Sequence, residues 1–320
     1  MPIPFRDIDF RVELPDIPSA MPAAVTEGQC SHERVEAMRT LAAVLDIDDA
    51  IEVTLPFGHA LAGQAGQVEF FAASGAVRAR NIPLLSRFDD ERRDWPDVEK
   101  VETDEGISYQ LGRRTGDRLL GEARELLGRA GLADDGVADV DVVLGRWAML
   151  DEKGRERESG PGRATVRMSY AVEGTPLIGA GAKTNLHYDP VDGRPTLARM
   201  FHVHRKVVDV REVRTGGTEK AFSAFLADPF LEEKSGRGGR IVVTAVRAGL
   251  LALPADTPQR VAYPALAVEG TVESLKDDRK GGYEVRFGRY VPAASPEALR
   301  RAGVAVPTPN DEDAGRSRSR

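Results

Sequence analysis

The 320-residue sequence is poor in residues that several common chemistries require. It contains one cysteine, Cys30, so it cannot form an intramolecular disulfide or a zinc site of several thiolates. No run approaches the roughly 20 consecutive apolar residues of a membrane helix. The first residues, MPIPFRDIDFRVELPDIP, carry charges where a secretory signal needs an apolar segment. We therefore expect a cytoplasmic protein without a membrane partner.

The chain also lacks a strong basic balance and the phosphate-binding motifs. Its net charge is −7 and its pI about 5.5, which is unfavourable for a nucleic-acid-binding protein. There is no G-x-S-x-G motif, Walker loop or glycine-rich loop that follows a strand and opens a helix. The stretch GRGGR, 236–240, lies between a predicted helix and a predicted strand, which is the opposite order. We expect neither a nucleic-acid partner nor a cofactor.

Histidine is scarce, but three of the five histidines lie close together in the sequence, next to an aspartate. His187 and Asp189 form the His-x-Asp that begins an iron-binding facial triad, and His202 and His204 follow. No histidine occurs after His204 to complete such a site, and lysines flank the same strands. We therefore predict no metal. The stretch KTNLHYDPVDGRP, 183–195, is predicted to be a strand that enters a hairpin turn, with its leucine and its tyrosine buried and His187 exposed.

Predicted helices interrupt runs of predicted strands at intervals along the chain. Apolar spacing predicts helices over 31–47, with Ser31 as N-cap, and over 115–132, with Thr115 as N-cap and Gly131 as the stop. A closing helix is capped by Ser295, and LARMFHVHRKVVDVREV, 197–213, reads as one strand. The predicted fold is α+β, with repeated helix-plus-antiparallel-meander units whose helices pack on curved antiparallel sheets. The predicted segments are an extended N-terminal arm 1–30, units 31–112, 113–215 and 216–303, and a disordered tail 304–320.

The second unit carries a recognisable order of elements. An amphipathic helix and a strand precede Gly174-Thr175-Pro176-Leu177-Ile178-Gly179, and the next strand ends at Asp192-Gly193. In this order the chain resembles, over roughly residues 105–291, the PepSY-like domain of protease propeptides and of bacterial two-component accessory proteins. The resemblance implies a PepSY-like fold and, because known members bind proteins, a binding or inhibitory role. The family has no catalytic residues that could be transferred.

Aromatic and histidine side chains on the predicted strands are the candidates for a site in an apolar pocket. The candidate catalytic residues are Tyr170, His202 and His204, and the candidate substrate-binding residues are Trp147, Tyr188 and Glu69. Two functions stay open. The first is a bacterial, cofactor-independent cyclase or isomerase that holds an apolar biosynthetic intermediate, such as a polyketide of antibiotic biosynthesis, in a reactive conformation. The second is a module that recognises a peptide or protein partner by strand addition, without catalysis.

Overall fold

The computed structural model describes residues 3–27, 31–86, 93–103, 106–133, 136–236, 238–274 and 284–304. Cys30 and nearly all of the predicted tail lie outside these residues. The structure is 52% strand and 21% helix. It is therefore dominated by sheet, to a greater extent than the predicted α+β arrangement of helix-plus-strand units.

The elements are numbered in chain order. The first half contains a short 3-10 helix (Phe5–Asp7), β1 (Ile8–Phe10), β2 (Ala20–Thr26), α1 (Ser31–Val44), β3 (Ile51–Leu55), β4 (Gly58–Ala62), β5 (Gly66–Phe71), β6 (Ala76–Asn81), α2 (Ile82–Leu85), β7 (Val98–Thr103), β8 (Gly106–Leu111), α3 (Arg113–Arg129) and β9 (Val137–Leu150). The second half contains β10 (Glu156–Val172), β11 (Thr175–Ile178), β12 (Lys183–Val191), β13 (Arg194–Val203), β14 (Val207–Arg214), α4 (Gly217–Leu226), α5 (Pro229–Gly236), β15 (Gly239–Leu251), β16 (Val261–Ser274), β17 (Glu284–Pro292) and α6 (Pro296–Arg301).

Fifteen strands join one mixed sheet. Its path runs β14-β2-β16-β15-β11-β10-β12-β13-β6-β5-β4-β3, while β1, β17 and β9 pair with β15, β16 and β10. Strands β1 and β11 pair with β15 in parallel, and the other pairs of the sheet are antiparallel. Strands β7 and β8 form a separate hairpin.

The predicted fold class of repeated units on separate sheets is wrong. Strand β6 of the predicted first unit pairs with β13 of the predicted second unit. Strand β2, which falls in the predicted arm, pairs with both β14 and β16. The alternation of apolar and polar residues identifies strands but carries no information on which distant strand becomes the neighbour. Non-local pairing therefore merged the predicted units into one sheet.

The main core lies between one face of the sheet and the helices α1 and α3. Its buried members include Leu41 of α1 and Leu45 just after it, Leu119 and Leu127 from α3, and Val166, Leu186 and Met200 from the sheet. Helix α3 ends where Gly131 takes a positive φ of 63°, and the Leu132 amide donates to the Leu127 carbonyl at 2.8 Å. The predicted stop is confirmed. The predicted cap at Thr115 is wrong, because the helix begins at Arg113 and buries Thr115 inside its first turn.

The predicted strand 197–213 is two strands that lie in different parts of the sheet. Strand β13 pairs with β12 and β6, whereas β14 pairs with β2. Between them, the buried Arg205 guanidinium donates to the carbonyls of Leu253 at 2.8 Å, Pro254 at 3.0 Å and Thr257 at 2.7 Å. These bonds attach the chain to the loop after β15 at the point where it leaves one strand for the other. The break places His204 and Arg205 in the interior.

Candidate functional site

An open groove of about 520 Å³ lies between the second half of α3 and the strands β9 and β10. Its apolar lining consists of Leu120, Leu127, Leu132, Ala133, Val137, Ala138, Val140 and Met168, with Tyr170 at the end of β10 and with Arg124 and Asp139 as its charged residues. Pockets for small molecules typically measure about 300–1,000 Å³ and combine apolar walls with a few polar groups. In size and chemistry the groove falls in that class.

A chain of hydrogen bonds begins at the Tyr170 side chain and runs into the core. The Tyr170 hydroxyl lies 2.6 Å from Thr184 Oγ1, which lies 2.8 Å from His202 Nδ1. The three side chains come from the neighbouring strands β10, β12 and β13 and are at most 2% exposed. Met168, Thr184 and His202 are register partners, so they share the face that packs against the helices.

The direction of this chain depends on the His202 tautomer. If Nδ1 accepts, Thr184 donates to His202 and Tyr170 donates to Thr184. If Nδ1 carries the proton, His202 donates to Thr184 and Thr184 donates to the Tyr170 hydroxyl. The proton of the Tyr170 hydroxyl is then available to another acceptor. The buried Tyr170 phenol can therefore donate to Thr184 in one tautomer of His202 and to a different acceptor in the other. This is the chemistry of a proton relay.

His204 completes the cluster by stacking on the phenol ring. The rings of Tyr170 and His204 have centroids 3.9 Å apart and planes inclined by 10°, and the His202 ring lies 6.5 Å from each. The structure thus brings together the three candidate catalytic residues. His202 contributes from β13, whereas His204 follows the end of that strand. The sequence predicted both on one continuous strand, whereas the strand ends at Val203, between them.

The three candidate substrate-binding residues lie elsewhere, and none lines the groove. Trp147 lies on β9 opposite Gly160, where a Cβ on that glycine would meet the indole Nε1 at 2.7 Å. Tyr188 is buried in the main core, and burial raises the pKa of its phenol. Glu69 accepts hydrogen bonds from Gln67 at 3.1 Å and from Arg78, on the other face of the sheet.

The groove residues that sequence reasoning missed come mainly from α3 and β9. Apolar spacing predicted the helix that contains Leu120 and Leu127, but nothing local indicates that these residues face the start of β9 across an open space. Arg124 lies on the same helix, three residues before Leu127. Its position near an apolar stripe was the available signal, but such a placement is typical of any amphipathic helix.

The His-x-Asp pair is engaged in contacts of two separate kinds. His187 Nδ1 lies 3.0 Å from Thr165 Oγ1, and burial together with Arg199, Arg163 and Arg167 lowers the pKa of His187 to about 4. The Asp189 carboxylate, 1% exposed, accepts from Arg93 Nε at 2.6 Å and from Arg163 Nε at 2.9 Å. Within the described ranges, no three His, Cys, Asp or Glu side chains form a group suited to a metal ion.

The predicted strand and hairpin over 183–195 are confirmed. Strand β12 pairs with β13 through a turn at Asp192 and Gly193, whose φ angles are 50° and 73°. Leu186 and Tyr188 are buried, as predicted, whereas His187, which was predicted to be exposed, is half-buried. Strand β12 continues through Pro190 to Val191, directly before the turn. Among the described residues, no helix has the length and hydropathy needed to cross a membrane.

Comparisons with known proteins give a distant structural similarity and no match to a protein family. No protein-family model matches it, and no curated protein matches it. The resemblance to PepSY-like domains therefore stays a prediction. Among solved structures, the chain is similar to an uncharacterized protein from Eubacterium rectale ATCC 33656, with 9% sequence identity and a TM-score of 0.49 over 87% of this chain and 84% of that chain. A similarity at this level carries no argument about function.

Proposed function

We propose that this protein binds a small, largely apolar molecule in the groove between α3 and the strands β9 and β10. The observation that carries the proposal is the coincidence of two features. The groove has apolar walls and a volume of about 520 Å³, and its lining includes Tyr170, the first member of the buried hydroxyl–histidine chain. Arg124 and Asp139 offer charged contacts for a polar end of the ligand. A cytoplasmic site of action stays a prediction.

The reaction class that best suits this site is a cofactor-independent isomerisation or cyclisation. Apolar walls accelerate such a reaction by holding a flexible substrate in its reactive conformer. The chain Tyr170–Thr184–His202 can donate a proton to a developing oxyanion or accept one from an enol, and the stack of Tyr170 on His204 fixes the phenol ring. A flexible apolar intermediate with keto or enol oxygens, such as a polyketide, has the required chemistry.

Ligand binding is tested with the neutral, apolar dye Nile red. Ala138 is exposed and lines the groove, so Ala138→Trp would fill it without altering the core. Ala148 is an exposed residue of the same strand outside the groove, and Ala148→Trp is the matched control. We expect Ala138→Trp to weaken dye binding by about 10-fold or more and the control to change it by less than about 2-fold. Equal affinities in the two variants would contradict the proposal.

Catalysis is tested separately from binding. Metabolites that co-purify with the protein from its host are extracted, identified by mass spectrometry and incubated with wild-type protein and with Tyr170→Phe. The variant keeps the ring but lacks the hydroxyl that bonds to Thr184. We expect unchanged binding and a conversion rate lower by about 100-fold or more, the usual loss when a general acid or base is removed. Conversion by Tyr170→Phe at the wild-type rate would exclude the relay. If the wild-type protein bound the metabolites without converting them, the protein would be a carrier and not an enzyme.

Recognition of a peptide or protein partner is the second candidate function. Strand β3 lies at the end of the sheet path and pairs with β4 alone among the described strands, and its Ile51 is 66% exposed. An edge strand of this kind can accept an added strand. A pull-down with wild-type protein and with Ile51→Lys tests it. Capture of the same proteins in equal amounts by both would exclude strand addition at β3.

A further inference from the structure

The face of the sheet opposite α1 and α3 carries an uninterrupted row of basic and hydrogen-bonding side chains. Thr165 of β10 is the register partner of His187 of β12. His187 is the partner of Arg199 of β13, and Arg199 is the partner of Arg80 of β6. Register partners on antiparallel strands have Cβ atoms about 4.5–5.5 Å apart and project to the same side. We refer to Thr165, His187, Arg199 and Arg80 as the basic row.

A second row runs beside it, two residues along each strand. It consists of Arg167, Asn185, Phe201 and Arg78. Phe201 packs near Phe71, with centroids 6.0 Å apart, and the Arg78 guanidinium lies 5.2 Å from the centre of the Phe71 ring. Phe201 is half-buried, so part of its ring remains accessible next to the basic row. The two rows together combine guanidinium groups with an aromatic surface.

Two described carboxylates near the basic row, Glu69 and Asp189, already have partners. Glu69 accepts from Gln67, Arg78 and Arg80, and its distance to Arg80 Nη2 is 3.5 Å. Asp189 accepts from Arg93 and Arg163. Arg199 forms no ion pair with any carboxylate among the described residues, and it lies directly opposite Arg80. Like charges in this position are destabilising.

The titration behaviour of the row is consistent with an excess of positive charge. Burial and the neighbouring Arg80, Arg78 and Arg163 lower the pKa of Arg199. Burial and nearby arginines, Arg199 foremost among them, lower the pKa of His187 to about 4. His187 is therefore neutral at pH 7, and its ring is available for hydrogen bonding rather than for charge. A local positive excess stands out in a chain whose net charge is −7.

We propose that the basic row is a binding site for the phosphate or carboxylate group of a small molecule. Arg199 and Arg80 would hold the group through their planar guanidinium donors, which match the geometry of either oxyanion. Thr165 and His187 supply further hydrogen bonds, and Phe201 offers a surface for the organic part of the ligand. This site lies on the other face of the sheet from the groove and is independent of the function proposed there.

The extent of the row favours a small anion over a nucleic acid. His187 and Arg80 are separated by two strand spacings, which is about 10 Å. That length suits one oxyanion with an attached ring or short chain, whereas a polynucleotide needs charge spread over several phosphates. The overall negative charge of the protein opposes a polyanion in addition.

Isothermal titration calorimetry tests the proposal with inorganic phosphate, acetate and a 20-nucleotide single-stranded DNA, each at constant ionic strength set by chloride. The variant is Arg199→Gln, and the matched control is Arg194→Gln, an exposed arginine of the same strand at the turn. We expect phosphate or acetate to bind wild type and the control with affinities within about 2-fold, and Arg199→Gln to bind about 10-fold more weakly or worse. The anion that binds more tightly identifies the ligand group.

A second readout covers the case in which Arg199→Gln does not fold. Arg80→Gln then serves as the variant for calorimetry. In addition, NMR measures the pKa of the His187 imidazole in the wild-type protein with and without the anion. A bound anion should raise the pKa of His187 from about 4, because it offsets the field of the arginines. Absence of binding by both anions, or equal weakening in Arg194→Gln, would overturn the proposal. Tighter binding of the DNA with a steep salt dependence would overturn the small-anion assignment.

Discussion

The Tyr170 ring stacks face to face on the His204 ring, with centroids 3.9 Å apart. Tyr170 belongs to β10, and His204 lies where the chain leaves β13, so the contact joins the lining of the groove to the break between β13 and β14. Both side chains are buried, at 1% and 4% exposure. The stack therefore connects the candidate site with the segment between β13 and β14.

Replacement of His204 separates the stacking role from other roles. His204→Phe keeps a flat ring on Tyr170 and should change the free energy of unfolding by less than about 1.5 kcal/mol, as volume-conserving core changes do. His204→Ala removes the ring and should cost about 3 kcal/mol or more. Urea denaturation of both variants measures the difference. Equal destabilisation would show that the ring contact contributes little.

Thr184 is the central member of the hydrogen-bonded chain. Thr184→Val has almost the same shape but removes the bonds to both Tyr170 and His202 within a fully buried environment. It should cost about 2–4 kcal/mol, whereas Tyr170→Phe, which removes the bond to Thr184 and leaves that of Thr184 to His202, should cost about 1 kcal/mol. Thermal and urea melts of the two variants give the order. A Tyr170→Phe variant less stable than Thr184→Val would contradict it.

Asp189 is the buried counter-ion of two arginines. Asp189→Asn would leave Arg93, 6% exposed, and Arg163 without their shared carboxylate and should destabilise the fold by about 3–5 kcal/mol. The control is Glu125→Gln, which removes the exposed pair of Glu125 and Arg129 on α3 and should cost less than about 1 kcal/mol. Chemical denaturation compares them. Similar losses would mean that the Asp189 charge is not a structural requirement.

Adjacent residues on β12 should differ sharply in their effect on stability. Leu186 is 0% exposed in the main core, so Leu186→Ala should cost about 2–4 kcal/mol. His187 lies on the opposite side and makes one bond to Thr165, so His187→Ala should cost less than about 1 kcal/mol. Denaturant midpoints at unchanged slope provide the measurement. If His187→Ala were the more damaging, the assignment of the two strand faces would be wrong.

The low pKa of His187 predicts a defined pH dependence of stability. The folded protein protonates His187 near pH 4 and the unfolded chain near pH 6.5, so the unfolded state gains the proton first as the pH falls. Stability should decline from about pH 7 to about pH 4 by on the order of 1–2 kcal/mol from this group, after allowance for solvent screening. Protonation of carboxylates also lowers stability as the pH falls. The contribution of His187 is therefore the difference in stability between wild type and His187→Gln. A constant difference between wild type and variant across that range would exclude the effect.

Features that depend on a few neighbouring residues could be predicted from the sequence. The alternation in 183–195 correctly placed Leu186 and Tyr188 inside, and Asp192-Gly193 correctly marked a hairpin whose two residues take positive φ. Ser295 caps α6, since its hydroxyl accepts from the Ala298 amide at 3.2 Å. In each case the local chemistry of one turn or one strand face determines the result.

Features that depend on distant pairing could not be predicted. The predicted strand 197–213 runs through His204, whereas β13 ends at Val203, β14 begins at Val207, and Arg205 between them bonds to the loop after β15. The basic row exists because β12, β13 and β6 are neighbours, although β6 is more than a hundred residues away along the chain. The sequence by itself determined local features, such as the strand and turn within 183–195 and the apolar face of that strand. Tertiary structure alone decided which strands adjoin, because that choice rests on burial summed over the whole sheet.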